Sequence, residues 1–144
     1  MTRSVSEFTI KYKLNDYKLF ENENWIVSLR PEQKTPFSMI ISIKSNIFQM
    51  RDLNSFQILQ LQETYKFIEN ISYDNFKANK VNFLCLMMVD SIVHFHVFPR
   101  FESVFIYKNI QLIDKYFPKP VDLTDGDSLN TNIIWNVLKD FLSN

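Results

Sequence analysis

Glycine is nearly missing from this chain: Gly126 stands alone among 144 residues, and cysteine and alanine also occur once each, as Cys85 and Ala78. With so little glycine and only five prolines, a collagen-like repeat or a linker-dominated chain is excluded. A lone cysteine excludes an intramolecular disulfide and any cysteine-based zinc site. An excess of one charge is lacking too, since sixteen basic residues balance sixteen acidic ones. The basic surplus of a dedicated nucleic-acid binder is therefore absent. No window approaches the ~20 apolar residues of a membrane span. The longest apolar stretch, residues 83–89, is strand-length, and the opening MTRSVSEFTIKYK has no apolar core fit for a signal peptide. A soluble, cytoplasmic protein with neither nucleic-acid nor membrane partner is expected.

What is present is apolar and aromatic: 46% hydrophobic residues, 15% aromatics and fourteen phenylalanines point to a core rich in rings. A mass of 17.3 kDa fits one domain over residues 1–144. At this size folding buries roughly two-thirds of the extended-chain surface, enough for a core without staples. The many Asn, Ile, Lys and Phe look like the codon bias of an AT-rich genome, and no function is read into them.

Residues 5–14 alternate in part, with Phe8, Ile10 and Tyr12 on one side if the segment is extended. Residues 25–29 and 37–44 read as strands that pair as a hairpin across the turn-forming residues 30–36. Residues 52–71 read as a helix, with Asn54 as N-cap, Gln57 in the reciprocal position and an apolar stripe of Ile58, Leu61, Tyr65 and Ile68. Gln60, Glu63, Lys66 and Glu69 fill the opposite face. Residues 81–89 form a continuous apolar run, as expected of a central strand covered on both sides. Asp90 and Ser91 make a turn, and residues 92–98 form a second strand that Pro99 stops. Residues 100–130 show no regular pattern. A C-terminal helix over about 131–142 follows, with Ile134, Val137, Leu138 and Phe141 on one face. The order predicts an α+β fold: a mainly antiparallel sheet with one long helix and a C-terminal helix.

The chain has two histidines, His94 and His96, two residues apart. On a strand, positions i and i+2 share a face, so both imidazoles emerge side by side, with Ile92 before them and Phe98 after. Val93, Phe95 and Val97 turn to the core. Three readings stay open. The pair is a polar stripe on a solvated sheet. Or it holds a metal, which needs a third protein ligand; no other His and no nearby Cys is available, and an Asp or Glu from another element could supply it, though the sequence singles none out. Or it performs nucleophilic catalysis on phosphorus, since a neutral imidazole is a competent nucleophile and its neighbour can steady the departing group.

The stretch MMVDSIVHFHVFPR, residues 87–100, resembles the signature of the histidine triad (HIT) family, three alternating histidines followed by Pro-Arg. It is most similar to a bacterial branch in which Met-Met-Val-Asp runs almost directly into the triad strand. Residues 21–38, ENENWIVSLRPEQKTPFS, resemble the N-terminal hairpin of that branch, with Trp and Arg-Pro-x-Gln. Residues 38–57 resemble the strand, connection and Asp-Leu that open the family helix, and FPKPVDL, residues 117–123, resembles a Pro-rich segment after the core. The resemblance covers about residues 20–123.

It implies a HIT-like nucleotide hydrolase or nucleotidyltransferase. Such an enzyme cleaves at the α-phosphate of a nucleoside phosphoramidate or dinucleoside polyphosphate through a nucleotidyl-histidine. His94 takes the place of the nucleophile and His96 that of the supporting histidine. Arg30 and Ser38 fall where substrate-binding residues are expected. No metal and no cofactor is implied, the partner is a small nucleotide, and a homodimer is compatible because family members occur as monomers and dimers. The first triad histidine is replaced by Ile92, and Phe37 stands where a glycine is usual, with Ser38 where many members have histidine. The loss at Ile92 leaves an alternative, a non-catalytic nucleotide-binding protein with a degenerate triad. Among the other residues, Arg30 suits either the hairpin surface or the cleft rim. Arg100 fixes local structure, Asp90 is a turn residue, and Cys85, Trp25 and Trp135 are assigned to packing, as are Met87 and Met88 by default, although one of the two could face the cleft.

Overall fold

The computed structural model describes residues 2–143. Its centre is a five-stranded antiparallel sheet in the order β1-β2-β3-β5-β4: β1 (Lys18–Glu21), β2 (Trp25–Leu29), β3 (Met39–Ile43), β4 (Lys80–Leu84) and β5 (His94–Arg100). The predicted hairpin is β2 and β3, with Ser28 opposite Ile40 and Ile26 opposite Ser42. β5 lies beside β3, with Ile40 opposite His96 and Ser42 opposite His94. These pairings assign the faces. Trp25, Val27, Ile41, Phe95 and Val97 share one side; Ser28, Ile40, Ser42, His94 and His96 share the other.

The first side is covered by α2 (Ser55–Glu69), whose start is fixed by the expected capping box: Asn54 accepts from the Gln57 amide and Gln57 accepts from the Asn54 amide. Trp25 donates its indole N–H to the Gln57 carbonyl at 2.7 Å, and Tyr65 packs edge-on against Phe83. The apolar stripe differs by one position from the expected one. Ile58 is 49% exposed, while Gln57, Gln60 and Thr64 face inward. The buried Gln60 is satisfied because its amide oxygen accepts from both the backbone and side chain of Asn24, which makes its burial affordable.

Four elements correct the sequence expectations. Residues Val5–Lys11 are a helix, α1, not an extended segment. The Ser4 hydroxyl caps the Glu7 amide, the Glu7 carboxylate accepts from the Arg3 amide, and Phe8 packs against Tyr12 one turn on at 4.6 Å with tilted rings, leaving Ile10 78% exposed. The apolar run 81–89 is not a central strand. β4 ends at Leu84 on the sheet edge, after which Cys85, Leu86, Met88 and Val89 are exposed. Pro99 does not stop the last strand; it pairs opposite Val81, and β5 runs to Arg100. The Arg100 carbonyl accepts from Asn79 on the β4 side, so Pro99 turns its nitrogen to the side where β3 has already ended, and no ladder bond is lost. Residues 100–130 hold a small hairpin, β6 (Phe105–Tyr107) with β7 (Ile110–Leu112). The chain closes with α3 (Thr131–Ser143), which buries Ile134, Val137 and Leu138. Among the described residues no helix is long and apolar enough to cross a membrane.

Phe37 is fully buried with φ 65°, a left-handed conformation that bulky residues avoid. Its ring stacks on Phe76 at 3.7 Å and meets Phe105 edge-on at 4.9 Å. Left-handed backbone costs about 1–2 kcal/mol, whereas losing a buried phenylalanine costs about 3–5 kcal/mol. Packing wins. We expect Phe37→Gly to lower the unfolding free energy by about 2–3 kcal/mol in urea titrations. An unchanged or higher midpoint would show that backbone strain dominates.

Candidate active site

The alternation of β5 brings both imidazoles to the face opposite α2, and Arg30 reaches the same place. It follows Leu29 at the end of β2 with the parity of Ser28, so its side chain enters on the histidine side. The turn after it is braced by Gln33, whose side-chain amide donates to the Arg30 and Ser38 carbonyls at 2.7 and 2.8 Å and accepts from the Ser38 amide at 2.9 Å. The Arg30 guanidinium then donates to the Glu32 carbonyl at 2.8 Å and, through Nε, to Nδ1 of His96 at 3.4 Å.

The rings of His94 and His96 lie 5.1 Å apart and edge-on. Both are buried, and both line a cleft of about 140 Å³ together with Arg30, Tyr12 and Asp90. The segment 86–89, the end of the apolar run, lines another side. This volume is smaller than the ~300–1,000 Å³ of ordinary small-molecule sites. It suits a phosphoryl group, with the remainder of a larger ligand outside it.

Nδ1 of His94 is 2.6 Å from the carbonyl oxygen of Ile92. A carbonyl only accepts, so the proton sits on Nδ1 and the free lone pair sits on Nε2. Ile92 therefore acts through its backbone. Its side chain is fully buried in the core and is not on the cleft wall.

Burial pushes the His94 imidazolium below its usual range against the pull of the Ile92 carbonyl. Burial, then the Arg30 charge, then His94 bring His96 down to about 3. Both rings are neutral near pH 7. Burial also lowers the Arg30 guanidinium from its ordinary value.

Two cleft residues were not picked out from the sequence, Tyr12 and Asp90. Asp90 is no mere turn residue. Its carboxylate accepts from the Thr2 amide and hydroxyl, from Lys11 at 2.8 Å and from the Tyr12 hydroxyl at 3.1 Å, so it clamps α1 beside the histidines. Phe8 then lies 4.6 Å from His94, and Tyr12 lies 6.2 Å from His96. The signal that could have found α1 was the Ser4-x-x-Glu7 capping pattern. Burial and the neighbouring Asp90 push the Tyr12 hydroxyl up to about 12.

Ser38 is not in the cleft. It is fully buried in the turn, where its hydroxyl donates to the Thr35 carbonyl at 2.7 Å, which corrects its placement among substrate-binding residues. Arg100 is also outside, paired with the buried Asp114 at 2.8 Å and donating to the Lys119 carbonyl, the structural role expected of it. Cys85 is exposed, not core. Of the methionines, Met87 packs in part against the core while Met88 is 79% exposed. Trp25 and Trp135 do pack, the latter edge-on against Tyr17. Among the described residues no three His, Cys, Asp or Glu side chains gather closely enough to hold a metal ion.

Burial raises the Asp90 carboxyl, but the hydrogen bonds from Lys11 and Thr2 outweigh it and hold the group at about 2. A depressed carboxyl stabilises the fold above its unfolded value of 3.8, and that contribution is lost as pH falls toward about 2. Asp90→Asn should therefore cost about 1–2 kcal/mol at neutral pH and weaken hydrogen-exchange protection of the α1 amides. It should also flatten the acid limb of the stability curve between those pH values. Undiminished α1 protection in the variant would refute the clamp.

No protein-family model matches this sequence, and no curated protein matches it. Solved structures do. A histidine triad protein from Marinobacter aquaeolei superposes with a TM-score of 0.68 at 19% identity, covering 90% of this chain and 89% of that one. A histidine triad protein from Sinorhizobium meliloti gives 0.67 at 15% identity over 92% of this chain and 93% of that one. A hypothetical histidine triad nucleotide-binding protein from Sulfolobus tokodaii gives 0.66 at 16% identity over 93% and 85%. At such identities the likeness is one of architecture, from the hairpin through the long helix to the histidine strand, and that architecture is the histidine triad fold.

Proposed function

We propose that this chain is a HIT-like nucleotide hydrolase or nucleotidyltransferase, acting at the α-phosphate of a nucleoside phosphoramidate or dinucleoside polyphosphate. The observation that carries the reading is the bond between His94 Nδ1 and the Ile92 carbonyl, which leaves Nε2 unprotonated in a cleft shared with His96 and a buried arginine. Nε2 attacks the α-phosphorus in line, and the bond to the leaving group breaks with its electron pair going to that group, a phosphate departing as the anion and an amine taking a proton from solvent, so that a nucleotidyl-histidine forms. His96 stabilises charge on the phosphoryl oxygens. Water then adds to phosphorus, the P–N bond breaks, the lone pair returns to Nε2, and the water proton is lost to solvent with release of a nucleoside monophosphate. Another acceptor in place of water makes the same step a transfer. The replacement of the first triad histidine by Ile92 fits this scheme, because the backbone carbonyl alone sets the His94 tautomer.

A non-catalytic nucleotide-binding role is the second reading, favoured by the small cleft and by Phe8 against His94. The two separate in one experiment. The protein is incubated with adenylyl, guanylyl, cytidylyl and uridylyl phosphoramidates and dinucleotides, then analysed by mass spectrometry for a nucleotidyl adduct. Wild type should form the adduct and His94→Asn should form none. His96→Asn should slow turnover ~10²–10³-fold with adduct still detectable. An adduct that survives His94→Asn assigns the nucleophile elsewhere; nucleotide binding with no adduct in wild type favours the second reading.

The depressed His94 pKa also fixes a pH dependence. The neutral ring persists as pH falls below the ordinary histidine value of 6.5. The acid limb of kcat/KM should accordingly lie below pH 6.5, and a half-maximal point at or above that value would contradict the burial of the nucleophile.

A further inference from the structure

Arg30 is a cation in an unusual position. It is 8% exposed, yet among the described residues no carboxylate lies within ion-pairing distance of it. The nearest candidate by sequence, Glu32, makes its contact ion pair with Lys34 at 2.6 Å and acts on Arg30 only as a longer-range attraction. Burying an unpaired charge is costly unless something of opposite sign compensates it. The guanidinium is also held in place, by the Glu32 carbonyl, by the Gln33-braced turn and by the Phe98 ring 5.8 Å away.

Its contact with His96 has a definite sense. Arginine has only donors, so the Nε–H facing Nδ1 requires that nitrogen to be the acceptor. The opposite tautomer would set two N–H groups against each other. The proton of His96 is therefore on Nε2, while that of His94 is on Nδ1. The two rings are fixed in opposite tautomers by two different partners, one nitrogen free to attack and the other an N–H that can donate a hydrogen bond but is no acid.

Resting on the proposed nucleophilic role of His94, we infer that Arg30 is the positioning residue that sets the His96 tautomer, and that its unpaired charge reserves the cleft for leaving groups that depart as anions. A phosphate-type leaving group takes the electron pair of the broken P–O bond and needs a cation beside it, with no proton transfer. An amine leaving group takes the electron pair of the P–N bond and must be protonated as it goes. Among the described residues that line the cleft, none is a strong acid for that task. His96 is kept from becoming an imidazolium by burial and by Arg30, the Tyr12 hydroxyl donates to Asp90, and Asp90 is ionised against Lys11. A fixed guanidinium also disfavours the ammonium that such a departure creates.

Two measurements test this. Nitrogen-15 NMR of the labelled wild-type protein reports the tautomers directly. His96 should carry its proton on Nε2 and His94 on Nδ1, and in Arg30→Met the His96 signal should become a tautomer mixture that titrates at higher pH. A wild-type His96 protonated on Nδ1 overturns the positioning role. In kinetics, a dinucleoside polyphosphate and a phosphoramidate of the same nucleoside are compared. Arg30→Met should lower kcat/KM for the polyphosphate ~10²–10³-fold and for the phosphoramidate less than ~10-fold, with Arg30→Lys recovering part of the first loss because it restores charge without the tautomer contact. Equal losses on both substrates overturn the leaving-group preference. Absence of any adduct with either substrate defeats the catalytic reading itself, and the NMR result still decides whether Arg30 orders His96.

Discussion

The pairing of β5 with β3 is the constraint on which the rest of the cleft depends. Ser42 opposite His94 and Ile40 opposite His96 fix a register in which the even-numbered residues of β5 turn to one face. A slip of one residue would drive both imidazoles into the packing under α2 and turn Phe95 and Val97 outward. The aromatic contacts of Phe95 with Trp25 and Tyr65 hold the register from the far side of the sheet. The apolar side of the strand thus positions the polar side, and the site is as rigid as the core behind it.

On that frame the electrostatics are set by backbone and arginine, not by carboxylates. A familiar way to orient a catalytic imidazole is a buried acid; here a main-chain carbonyl holds one ring and a guanidinium holds the other. The carboxylate that lines the cleft, Asp90, is engaged by Thr2, Lys11 and Tyr12, and it fastens the first helix instead of a histidine. The result is a small, buried volume with a guanidinium beside one of its histidines. Low dielectric strengthens each of these interactions.

Much of this was legible in the sequence because it follows from local periodicity. The period of two in IVHFHVF places the histidines together, the capping pair Asn54 and Gln57 starts the long helix, and the hairpin strands stand out by composition. What was not legible depended on tertiary partners. Phe8, Ile10 and Tyr12 alternate like a strand, but Phe8 and Tyr12 are equally one helical turn apart, and Asp90, far along the chain, anchors the helix that buries them. The apolar run 81–89 reads as a central strand because hydropathy does not distinguish a core from the wall of a cleft. The run leaves the sheet after Leu84, and Met87, with φ 53°, turns the chain again beside the cleft. Ile58 and Gln60 exchanged places because the Asn24 side chain and backbone satisfy the glutamine. Ser38 looked available for a ligand, but the turn that positions Arg30 consumes its hydrogen bonds.

Phe37 carries a consequence for how this protein can change over time. Its left-handed backbone and its stack on Phe76 stand in one aromatic cluster with the buried Phe101 and Phe105 and the partly buried Phe141. A smaller residue at position 37 eases the chain but empties space that only a larger neighbour could refill. A smaller residue at position 76 keeps the strain and removes the ring contact that offsets it. Neither first step is neutral, so the order in which such substitutions arrive decides which of them survive. The cluster acts as a ratchet: once these rings are in place, the turn that carries Arg30 has few single-step routes to another shape.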